Sequence, residues 1–133
     1  MHPVAIKAGE VCYRCQRTIE DPKMATELVD DNGQARKFKT PACLATFLKD
    51  NPNEKAHIFV TDYASGELFP VQTALFVRVK LSEGEKVERD FVAFKKLADA
   101  KAAAELNASN AVNWAAVRAH VSAPPPPASK RRS

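Results

Sequence analysis

The chain has 133 residues, 45% of them hydrophobic, which is enough for one compact domain with its own core and too little for two ordinary ones. Three units of its formal charge of +4 come from Lys130, Arg131 and Arg132 at the very end, so the rest carries no nucleic-acid footprint. No apolar run approaches the roughly 20 residues of a membrane span, Met1-His2-Pro3 lacks the organisation of a signal peptide, and an odd count of three cysteines argues against a disulfide framework.

Met1 to Met24 shows neither helical nor strand periodicity and reads as a loop that holds Cys12 and Cys15. From Ala25 to Val29 and from Gln34 to Phe38 the pattern is that of two strands, with Asn32-Gly33 between them as a tight hairpin, because both residues accept positive φ at low cost. Thr40-Pro41 opens a helix, Thr40 as N-cap and Pro41 at the first helical position, and Cys43, Leu44, Phe47 and Leu48 form its buried face. His57 to Tyr63 reads as a strand, Ala64 to Glu67 as a turn, and Leu75, Val77 and Val79 as the inward residues of a second strand. A charged loop is expected from Ser82 to Asp90, then an alanine-rich helix from Phe94 to about Leu106. Asn110 to Trp114 can add a short strand, and Trp114, Val117 and Val121 stand at helical spacing. The order strand, strand, helix therefore appears twice, which points to an α+β fold of two ββα half-units sharing one core. This domain is expected to span residues 1–122. Residues 123–133, rich in proline and ending in a basic run, are expected to form a disordered tail.

Cys12-Tyr13-Arg14-Cys15 carries the chemistry. Two thiols with two residues between them can face one ion across a single turn, or close a small disulfide ring. Zinc fingers and ribbons need a second ligand pair, and the remaining Cys43, His2, His57 and His120 match none of their spacings. A c-type haem requires histidine after the second cysteine, where Gln16 stands. A thioredoxin-like pair belongs between a strand and a helix, whereas this one precedes a hairpin. Cys43, in the first turn of the expected helix, sits where exposed N–H groups favour a thiolate, and Met24 offers a thioether; either completes a site with Cys12 and Cys15. Soft sulfur donors select Cu(I), with zinc as a lesser alternative. No phosphate loop occurs among the four glycines and no signature identifies a histidine partner for a nucleophilic cysteine, so a non-catalytic role is expected. The rival readings are a thiol redox protein or sensor that cycles the Cys12–Cys15 pair, and an interaction module whose site has degenerated.

Three stretches, Cys12 to Ile19, "DDNGQARKFKTPACLATFL" and "HIFVTDYASGELFPVQTALFVRV", resemble the NosL family, and the likeness runs from about Gly9 through Val121. The resemblance implies a fold of ββα units, as in the distantly similar organomercurial lyases. It implies a Cu(I)-binding accessory protein of the cell envelope that helps nitrous-oxide reductase acquire copper. The expected partners are thus a metal ion and a copper-dependent reductase or another copper carrier; the expected compartment is the periplasm or envelope if a leader has been removed, and otherwise the cytoplasm. Two positions depart from the family pattern. Gln16 and Arg17 stand where a Gly or His and then a Met usually follow the second cysteine, and Glu83 to Arg89 replaces a Pro-Met-Gly segment.

Overall fold

A computed structural model describes residues 3–52, 56–83 and 86–122. The described residues form six strands and three α-helices: β1 (Thr26–Val29), β2 (Ala35–Phe38), α1 (Pro41–Asp50), β3 (His57–Thr61), β4 (Leu68–Pro70), β5 (Leu75–Glu83), β6 (Lys86–Phe94), α2 (Leu97–Leu106) and α3 (Trp114–Ser122). The strands form two antiparallel sheets, one of four strands in the order β2-β1-β3-β4 and one of two, β5-β6. The fold is α+β, and the ββα order recurs as β1-β2-α1 and β5-β6-α2, with β3 and β4 between.

The expected β1–β2 hairpin forms, with Thr26 opposite Phe38 and Val29 opposite Ala35. Its connection is longer than a two-residue turn because Asp30 organises it. The Asp30 carboxylate accepts the N–H groups of Asn32 and Gln34, and Gly33 takes φ +82°, a conformation that costs glycine little. β1 is buried at every position, as a central strand covered on both sides must be. Leu28 and Phe38 pack against Leu44 and Leu48 of α1, together with Cys12 and Ile19 from the N-terminal segment. The opposite side holds Glu27, whose carboxylate accepts the Val4 N–H at 2.6 Å and so ties that segment down.

The second half differs from the sequence reading: β4 is a strand that was not expected, pairing with β3, and further differences follow. Ser82 to Asp90 is not a charged loop: β5 continues to Glu83 and β6 begins at Lys86. Charged residues occur in strands as well as in loops, so hydrophilic composition was a poor guide to loop structure here. In consequence β5 pairs with β6, and the helix starts at Leu97, since Phe94 ends β6 opposite Leu75. The ribbon is apolar on both faces near its base. Val77, Val92 and Phe94 meet Met24 and α2 through Ala100 and Ala104. Phe76, Phe91 and Ala93 meet Ala45 of α1, Val60, Phe69 and Val117 of α3. Two links hold the ribbon to the rest: Tyr63 donates its N–H to the Ala93 carbonyl, and Phe76 exchanges both backbone hydrogen bonds with Val112 at 2.7 and 2.8 Å. The strand expected over Asn110 to Trp114 does not form: a single bridge at Val112 stands in its place, and Trp114 already opens α3. The tail expected over residues 123–133 lies outside the described residues.

Candidate metal centre

Cys12 and Cys15 occupy a closed loop of the N-terminal segment. Val11 and Thr18 form an antiparallel bridge at its base, Cys12 donates its N–H to the Arg17 carbonyl, and Gln16 donates its N–H to the Cys12 carbonyl at 3.0 Å. To reverse within four residues the chain puts Gln16 at φ 61°, which costs a residue with a side chain of the order of 1–2 kcal/mol. The Gln16 amide returns a hydrogen bond to the Tyr13 carbonyl. The loop is then fixed to the sheet, because Tyr13 donates its N–H to the Lys37 carbonyl at 2.7 Å. Its ring packs edge-on against Phe38 and Phe47, and the Arg36 guanidinium lies over both Tyr13 and Phe47, at 5.4 and 5.6 Å.

The third thiol arrives from α1. Thr40 caps that helix, its hydroxyl accepting the Cys43 N–H at 3.2 Å, and Pro41 follows at the first helical position. The Sγ atoms of Cys12, Cys15 and Cys43 all lie within 4.8 Å of one another. All three are free thiols. With metal–sulfur bonds of about 2.3 Å, a planar trio around one ion has edges of about 4 Å, so the cluster needs only a small contraction to bind one. Cys12 is fully buried, while Cys15 and Cys43 are half-buried and give the site a way to the surface.

The thiols differ electrostatically. Burial opposes the Cys12 thiolate, yet the N–H groups of Cys15, Lys39 and Arg14 and the Cys15 side chain together outweigh it and lower its pKa. Burial pushes the Cys43 thiol up to about 12, with Cys12, Cys15 and Asp90 adding repulsion and the Thr40 hydroxyl opposing. Helix-terminal N–H groups alone do not make Cys43 a thiolate, contrary to the expectation from its helical position.

Met24 does not join the thiols. Its side chain fills the core between Val77, Val92, Phe94 and α2, where an unbranched apolar chain suits an irregular gap. His57 stands at an exposed strand end beside Asp31, and His120 packs against Phe91. Among the described residues no histidine or carboxylate completes the thiol cluster. The sequence reading missed the wall formed by Tyr13, Arg36 and Phe47, since only strand pairing brings Arg36 beside the loop. The donors to the Cys12 sulfur are backbone groups, which leave no mark in a sequence.

The profile of the NosL family matches residues 3–122. The crystal structure of the copper chaperone NosL from Shewanella denitrificans superimposes with a TM-score of 0.67 at 19% identity, over 84% of this chain and 92% of that one. No curated protein sequence matches the chain.

Proposed function

The chain belongs to the NosL family, and from that premise we propose that it is a non-catalytic copper-binding accessory protein whose cargo, Cu(I), is held by Cys12, Cys15 and Cys43. The observation that carries this reading is the convergence of three free thiols from two separate segments within 4.8 Å. Three soft donors suit Cu(I), which accepts low coordination by thiolates, whereas zinc in closed sites takes four ligands. A buried Cys12 and two half-exposed thiols fit a site that holds an ion and gives it up. The same site does not supply what a nucleophilic cysteine needs, because no imidazole stands beside it among the described residues.

The proposed partners are a copper-dependent reductase or another copper carrier, and the proposed compartment is the cell envelope, as the resemblance of the sequence to the NosL family implies. Among the described residues no helix is long and apolar enough to cross a membrane.

The test is competition between the fully reduced chain and a chromogenic Cu(I) chelator, with a parallel zinc titration. One equivalent of Cu(I), bound far more tightly than zinc, is the expected result. Retention of copper binding in a Cys12→Ser, Cys15→Ser double variant would refute the assignment. If instead the native chain binds no copper but its Cys12–Cys15 pair oxidises reversibly, the redox reading takes its place.

A further inference from the structure

The loop that bears Cys12 and Cys15 also presents an exposed face whose chemistry the copper site does not use. Val11 and Tyr13, two residues apart, are 51% and 48% exposed. Arg14, between the two cysteines, and Arg17, directly after them, are exposed as well. Both are held near the thiols by the backbone: Arg14 lies within the Cys12–Cys15 turn that the Gln16 N–H to Cys12 carbonyl bond closes, and the Arg17 carbonyl accepts the Cys12 N–H at 2.9 Å. The Arg36 guanidinium, stacked on Tyr13 and Phe47, borders the same face. An open depression of about 670 Å³ continues the same face, lined by Tyr13, Asp30, Gln34, Ala35 and Arg36.

The neighbouring carboxylates are already committed. Glu10 is ion-paired with Lys37 at 2.7 Å and accepts the Lys7 N–H; Asp30 accepts two N–H groups of its own turn; Asp90 accepts the Phe91 N–H. Glu20 and Asp21 lie beyond the Val11–Thr18 bridge that closes the loop, and Asp21 caps the turn at Pro22–Met24. Arg14 and Arg17 are thus left as exposed cations on either side of the half-exposed Cys15 in the chain. Exposed Tyr together with Arg is the composition of a protein interface rather than of a solvated loop, and cations need acidic groups opposite them.

We propose that this loop is a docking rim for the acidic face of the protein with which the chain exchanges Cu(I), Arg14 and Arg17 steering the encounter while Val11 and Tyr13 supply its apolar contact. The exchange step rests on the copper reading above; the docking step does not. Steering by such charges raises association by about tenfold or more at low ionic strength and fades with salt.

Two labelled peptides test it, each with a Met-x-x-Met pair, one flanked by glutamates and the other by lysines. Fluorescence anisotropy with the metal-free chain should show the glutamate peptide binding about tenfold more tightly at low salt, with the preference lost at high salt. Amide shifts should centre on residues 11–18. Arg14→Gln with Arg17→Gln should abolish the preference, and Arg14→Lys with Arg17→Lys should keep it. Equal binding of the two peptides, or shifts centred elsewhere, would overturn the proposal. So would capture by anionic phospholipid vesicles without any peptide preference, which would make the rim a membrane contact. Loading the peptides with Cu(I) then measures transfer. Docking without any copper binding would sink the copper reading and leave the rim standing, whereas copper binding without charge preference would do the reverse.

Discussion

At the three sulfur atoms, burial and backbone hydrogen bonding pull in opposite directions. Cys12 is fully buried, yet its pKa is lowered because the N–H groups of Cys15, Lys39 and Arg14 and the Cys15 side chain outweigh burial; burial pushes the Cys43 thiol up to about 12, with the Thr40 hydroxyl opposing. Metal binding must displace the Cys43 proton, which reduces what Cys43 adds to affinity. Cys43→Ser should therefore weaken Cu(I) by about tenfold, or about 1.4 kcal/mol, and Cys12→Ser by more, as chelator competition would show. Equal losses would mean that the thiols share the ion evenly. Glu27 poses a separate question. It is fully buried, one carboxylate oxygen has no partner among the described residues, and burial raises its pKa above the ordinary 4.5, against the Val4 N–H and the Lys37 charge and with a smaller push from Glu10. A carboxyl whose folded pKa is raised favours folding fully below its unfolded pKa, and this contribution is lost as pH rises through the folded value. Glu27→Gln, a mimic of the neutral acid, should then gain stability relative to the native chain between mildly acidic and neutral pH. Melting curves across that range check it, and a variant that instead loses ground as pH rises would contradict the sign.

On the scale of elements, the site depends on two local devices, the Gln16 reversal and the Thr40 cap. Thr40→Ala removes the acceptor for the Cys43 N–H and should cost about 1 kcal/mol in urea unfolding. It should also weaken Cu(I), because the first turn of α1 sets where Cys43 stands. These devices were unequally legible. Thr40-Pro41 followed by an apolar face announces a helix start, and Asn32-Gly33 announces a hairpin, since both signals are local backbone chemistry. Cys12 and Cys15 were legible from spacing alone. What brings Cys43 to them was not: the Tyr13–Lys37 backbone bond and the packing of Ile19 and Cys12 against Leu44 are long-range contacts. Met24 shows the same limit in reverse. A thioether is chemically fit as a ligand or as core filler, and only the position of β6 and α2 decides for filler. β6 itself was missed because its first half carries alternating charges, and a charged ribbon and a charged loop have similar compositions.

At the scale of the molecule, the thiol loop is supported by a core that passes through both sheets. Trp114 packs on the cluster that contains Cys12 and also on Phe76, its ring 5.6 Å away, so the ribbon and the metal loop share a wall. Phe76 is fully buried there and hydrogen-bonded through its backbone to Val112. Phe76→Ala should cost about 3–5 kcal/mol, a large part of the roughly 5–15 kcal/mol available to a domain of this size, with a matching fall in the urea midpoint. The central claim, that thiols from the loop and from α1 bind one copper ion together, is tested most directly by X-ray absorption at the copper edge of the Cu(I)-loaded chain. The account predicts a sulfur-only shell of three donors that falls to two in Cys43→Ser. A native shell of two sulfurs unchanged by that substitution, or one containing nitrogen or oxygen, would contradict it.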